Sequence, residues 1–61
     1  MNNYNYVVLK GKSTYGETVE IMYRYKTDDY KAFISYIPCD RFENLETATE
    51  WFNDYATEHN N

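Results

Sequence analysis

Apolar and polar residues alternate most regularly in ETVEIMYRYKT, residues 17–27. Val19, Ile21, Tyr23 and Tyr25 fall on one side, and Thr18, Glu20, Met22, Arg24 and Lys26 on the other. A period of two marks a strand with one face buried, as in an antiparallel sheet. Residues 4–10, YNYVVLK, are rich in aromatic and β-branched residues and predict an earlier strand. Residues 30–37, YKAFISYI, predict a third strand that is apolar on both sides, with Ala32 and Ile34 on one and Phe33 and Ile37 on the other. The segment GKSTYG, with glycine at each end, and the segment TDD supply the turns between them. Pro38 is expected to end the ladder because it has no N–H.

The period changes after Asn44. Ala48, Trp51, Phe52, Tyr55 and Ala56 recur at three- and four-residue spacing, which predicts a helix over about residues 45–58. Asn44 is placed to cap it, and Glu46 lies in the first turn, where the helix dipole favours an anion. The expected fold is α+β: a three-stranded antiparallel β-meander with one C-terminal α-helix packed on one face. Residues 1–61 form one domain in this reading. The expected core is Val7, Leu9, Val19, Ile21, Tyr23, Phe33, Ala48, Trp51, Phe52 and Tyr55.

Size makes that core critical. A chain of 61 residues buries only about 60% of the surface it exposes when unfolded, which leaves a thin margin of stability. Cys39 is the only cysteine and His59 the only histidine, so neither an internal disulfide nor a Cys/His zinc set can be assembled. The compensation is aromatic: eight Tyr, three Phe and one Trp, each able to bury roughly 150–250 Å². The other route to stability is a partner, either a second copy in a homodimer or a target protein. The doubly apolar third strand points the same way, because one helix covers one face only.

Charge divides the chain. Residues 1–37 hold Lys10, Lys12, Arg24, Lys26 and Lys31 against Glu17, Glu20, Asp28 and Asp29, a net of +1. Residues 38–61 hold Arg41 against Asp40, Glu43, Glu46, Glu50, Asp54 and Glu58, a net of −5, which completes the overall −4. A net acidic chain is repelled by nucleic acid, whose binding rests on neutralising phosphates, and is attracted to basic surfaces.

No residue pattern fits catalysis. Cys39 and His59 are the only pair capable of thiol–imidazole chemistry, and His59 sits in a polar tail. Carboxylates are plentiful, but general acid–base work needs one in an apolar pocket, which so small a domain can hardly enclose. GKSTYG echoes the end of a phosphate-binding loop without the spacing that precedes it or the helix that follows. No catalytic, metal or cofactor-binding residue is assigned.

Two candidate binding surfaces remain. Glu43, Glu46, Glu50, Asp54 and Glu58 form an acidic helix face. No Lys or Arg follows Asn44 to relieve its repulsion. Helical positions four apart are separated by about 6 Å along the axis, a repeat suited to mimicking nucleic-acid phosphates. The expected partner is a protein with a basic surface. The alternative is a sheet face presenting Tyr4, Tyr6, Lys10, Met22, Arg24 and Lys26, which could stack and neutralise single-stranded nucleic acid or serve as a structural interaction module. Direct nucleic-acid binding is the weaker of the two expectations, given the net charge.

The short, acidic chain, rich in Asn, Tyr and Lys, resembles the small accessory proteins of tailed phages. Its segment FENLETATEW, with Phe42, Leu45, Glu46 and Ala48, is similar to the junction between sheet and helix in small meander-plus-helix domains. The resemblance implies stoichiometric binding that inhibits or modulates a host or defence protein. The opening MNNYNYVVLK lacks the basic and apolar regions of a signal peptide, and no apolar run approaches the roughly 20 residues of a membrane span. The expected setting is cytoplasmic, the host cytoplasm for a phage-encoded protein.

Overall fold

The computed structural model describes residues 4–59. Five strands and one helix follow in the order β1 (Tyr6–Ser13), β2 (Thr18–Arg24), β3 (Asp29–Ile34), β4 (Ile37–Phe42), α1 (Leu45–Tyr55) and β5 (Ala56–His59). The sheet order is β4-β3-β2-β1-β5, with every neighbouring pair antiparallel. The α+β class with one helix late in the chain is as the pattern predicts, but the meander has four strands instead of three. A short fifth strand then extends it at the far edge.

The extra strand arises where the third was expected to run on. The run 30–37 breaks at Ser35 and Tyr36, whose φ values are 52° and 66°. Two successive residues at positive φ make the two-residue reversal that matches the twist of a hairpin. The Ser35 N–H donates to the Thr18 carbonyl at 2.8 Å and ties the reversal to β2. Pro38 does not end the ladder. It lies in β4, an edge strand, where a missing N–H is tolerated on the side with no partner. The ladder shifts register between Ala32 and Phe33, leaving Cys39 as the extra residue of a bulge.

The first hairpin is built from the turn residues themselves. Gly16, at φ 81°, donates its N–H to the Ser13 carbonyl at 3.0 Å, and Ser13 Oγ accepts from the Tyr15 and Glu17 N–H groups. The strand β1 continues through Gly11 to Ser13, beyond its predicted end at Lys10.

Asn44 caps α1 as expected: its Oδ1 accepts the Thr47 N–H at 2.9 Å. The helix stops at Tyr55, three residues short of the predicted end. Ala56 is extended, with φ −91° and ψ 118°, and donates its N–H to the Phe52 carbonyl. Residues 56–59 then pair with the outer edge of β1, giving that edge the backbone partners it would otherwise lack.

The core lies between α1 and one face of the sheet. Val19, Ile21, Ala32, Ala48, Phe52 and Ala56 are buried, with Val8, Leu9, Tyr30, Ile34, Phe42 and Trp51 packed half-buried against them. Val7 and Tyr55, expected in the core, are exposed. Phe33 is half-buried, on the face that α1 does not cover. A bulge at Val8 explains Val7: Val7 pairs with Met22 but Leu9 with Ile21, so the strand's alternation is reset between them.

Candidate functional site

The α1 side of the molecule carries the acidic ridge. Glu46, Glu50 and Asp54 are exposed at four-residue spacing along α1, and Glu43 is exposed in the segment leading into it. None makes an ion pair among the described residues, and the last turn of the helix holds no cation. Glu58 leaves the ridge. It lies in β5, opposite Lys12 in the β1–β5 ladder, because the helix ends before it.

The opposite face of the sheet is uncovered. Residues paired with or alternating from Met22 share it: Val7, Met22, Lys31 and Arg41 form one row across the meander. Lys10, Glu20, Phe33 and Pro38 form the next row. Of the six residues proposed for a nucleic-acid face, Lys10, Met22 and Arg24 are therefore together on this side. Tyr6 is not: the reset at Val8 places it on the α1 side, paired with Tyr23. Lys26 belongs to the turn that follows β2. With Tyr4, Asn5, Arg24, Tyr25 and Thr27 it lines an open concavity of about 440 Å³ at one end of the sheet.

Tyr6, Tyr23, Tyr30 and Tyr55 make ring contacts within the fold. Tyr6, Tyr23, Tyr30 and Phe42 make one cross-strand row on the α1 side, with ring centroids 5.4 Å apart for Tyr6–Tyr23 and 5.3 Å for Tyr23–Tyr30. Phe42 then meets Trp51 at 5.9 Å, and Trp51 meets Tyr55 at 4.5 Å. Such tilted pairs stabilise beyond the area they bury. Among the described residues Phe33 is the single aromatic ring that strand register puts on the open face.

The open face also holds a charged clamp that the sequence pattern did not reveal. Asp29, only 1% exposed, starts β3 opposite Arg24. The Arg24 guanidinium donates to both carboxylate oxygens, at 2.8 and 2.6 Å, and Thr27 Oγ1 donates at 2.7 Å. Arg41 reaches it from β4. Arg24 and Thr27, with Arg41 behind them, hold the Asp29 carboxyl well below the usual carboxylate range, against the opposing effect of burial. The carboxylate pushes Arg24 up in turn. Asp29 joins three strands of the meander on the side that no helix covers. The one signal available in sequence was an acid and a base flanking a four-residue turn.

Cys39 and Tyr23 are further groups whose protonation the fold shifts. Partial burial and the neighbouring Asp40 raise the Cys39 thiol, which lowers its thiolate fraction. Its Sγ–H donates to the Ala32 carbonyl at 3.6 Å. His59 lies in β5 and Cys39 in β4, at opposite edges of the sheet. The Tyr23 hydroxyl donates to Asp28 at 2.9 Å, which holds its proton more tightly. Among the described residues no group of three or more His, Cys, Asp and Glu is placed to hold a metal ion. No helix among them is long and apolar enough to cross a membrane.

These features define a small α+β domain whose charge is sorted onto two opposite sides of one sheet. Comparison with protein-family models, curated proteins and solved structures gives no match to the chain.

Proposed function

We propose that this protein is a non-enzymatic protein-binding module, an inhibitor or modulator that engages a basic surface of its partner through the acidic ridge of α1. One observation carries the reading: Glu43, Glu46, Glu50 and Asp54 are all exposed and make no ion pair among the described residues. Uncompensated like charge at four-residue spacing destabilises a helix. A basic partner removes that repulsion, and the same field speeds encounter with it. The carboxylates repeat about every 6 Å along α1, so a groove that receives nucleic-acid phosphates is a fitting target. The phage-type role that the resemblance implies accords with such stoichiometric binding.

The test uses the chain as bait in a bacterial lysate, beside a variant carrying Glu46→Gln, Glu50→Gln and Asp54→Asn. Wild type should capture a basic protein, and the variant should not. Capture should weaken with salt, because exposed charges are screened over about 8 Å at physiological ionic strength. A variant that captures its partner as well as wild type defeats the reading. So does wild-type binding of a labelled oligonucleotide at physiological salt, measured by fluorescence anisotropy.

A further inference from the structure

The open sheet face has an apolar centre and a cationic surround. Met22 and Phe33 are half-buried there, Val7 is 42% exposed and Pro38 is exposed, with nothing packed over them among the described residues. Around them stand Lys10, Lys31, Arg24 and Arg41, against Glu20 and the enclosed Asp29, and at the β1–β5 edge strand register adds Lys12 with Glu58 opposite it. Lys10 and Lys31 make no ion pair among the described residues. The molecule is acidic overall, yet this face is basic.

We propose that the open sheet face docks the acidic ridge of a second copy of the chain, so that copies associate head to tail. The inference rests on the reading of the α1 ridge as a binding surface and adds the sheet as a basic surface that it fits. Charge complementarity selects this occupant. Glu46 to Asp54 covers about 12 Å of helix, and the cations from β1 to β4 cover three inter-strand spacings, about 14 Å. The sheet already accepts one helix on its other face, so a ridge laid on the open face completes a three-layer arrangement.

Stacking two open faces would set Lys31 and Arg41 against the same cations of the other copy. Single-stranded nucleic acid would find one ring, Phe33, where successive bases need several. A ridge-on-sheet contact is heterologous, because each copy uses one surface and leaves the other free. Association therefore continues past the dimer unless the rotation closes a ring.

Sedimentation velocity at low and high salt, from micromolar to millimolar protein, tests the proposal. Wild type should gain mass with concentration at low salt, and association should weaken about tenfold or more at high salt. Two charge-reversed variants, Lys10→Glu with Lys31→Glu and Glu46→Lys with Glu50→Lys and Asp54→Lys, should each stay monomeric alone and associate when mixed. Circular dichroism melts establish that each is folded. Should a reversal fail to fold, Lys10→Gln with Lys31→Gln and the ridge variant Glu46→Gln, Glu50→Gln, Asp54→Asn take its place, and each should lose self-association.

A strict monomer at every concentration in low salt overturns the proposal. Association that strengthens with salt also overturns it, since that assigns the sheet to apolar face-to-face stacking. So does self-association retained by the ridge variant, or an oligonucleotide held by wild type and lost with Lys10→Glu and Lys31→Glu. Failure here stays distinct from failure of the functional reading: a monomeric wild type whose ridge variant loses its captured partner sinks the self-docking and leaves the ridge standing.

Discussion

The two faces of the sheet are held together by different physics. On the α1 side, Val19, Ile21, Ala32, Ala48 and Phe52 are sealed from water and the aromatic row from Tyr6 to Tyr55 frames them. On the open side, the one buried side chain among the described residues is a carboxylate, fixed by Arg24, Thr27 and Arg41. The first face is stabilised by area removed from water, which is insensitive to pH. The second is ordered by charge, which is not. A chain this short buries its apolar residues fully on one face only and orders the other with ion pairs around Asp29.

The sharpest way to break the contrast is on the apolar side. Phe52→Ala removes a ring that is 2% exposed and should cost about 3–5 kcal/mol, close to all the stability so small a domain has. A cooperative melt near that of wild type would show that α1 does not organise the core. Trp51→Ala, at a half-buried position against Phe42 and Tyr55, should cost roughly half as much. The mutant should keep a measurable transition at low temperature.

On the charged side, Asp29→Asn leaves Arg24 and Arg41 without their anion and should lower the melting temperature at neutral pH by less than Phe52→Ala does. The sign of the pH dependence follows from the lowered pKa of the folded carboxyl. Its contribution is complete above the unfolded carboxylate value of about 3.9 and is lost as pH falls below that toward the folded value. Melting temperatures of wild type and variant should therefore converge as pH drops below about 4. A constant gap would mean that the clamp's role is steric.

The smallest expected effect is at the β3–β4 reversal. Ser35 and Tyr36 occupy positive φ without being glycine or asparagine. Ser35→Asn with Tyr36→Gly should stabilise by about 1 kcal/mol, read as a higher denaturant midpoint with an unchanged slope. A lower midpoint would mean that Tyr36 makes contacts worth more than the strain.

That reversal also marks the limit of what the sequence discloses. The helix, its Asn44 cap, the alternating second strand and the Gly16 turn were legible because each follows a local rule: period, capping chemistry, backbone freedom. The Ser35–Tyr36 reversal follows no residue preference, so the third and fourth strands read as one. The bulge at Val8 is equally silent, yet it decides that Val7 faces out, that Leu9 faces in, and that Tyr6 parts from Lys10. Of the acidic surface, Glu46, Glu50 and Asp54 could be placed from spacing alone. Glu58 could not, since the helix yields to an unpaired sheet edge that only the assembled meander creates. Asp29 was hidden for the same reason: Arg41, from β4, becomes its neighbour only once the missed strand is in place.

The β1–β5 pairing imposes an order on folding. The three hairpins β1–β2, β2–β3 and β3–β4 close over short loops, and such closures take microseconds. The β1–β5 ladder joins the first strand of the sheet to the fifth, so it waits until α1 has been laid across the sheet. Until then the outer edge of β1 is an open template for strand pairing with another unfolded chain. Slow docking of α1 would lengthen that exposure, and aggregation during refolding would be set by how fast the helix reaches the sheet.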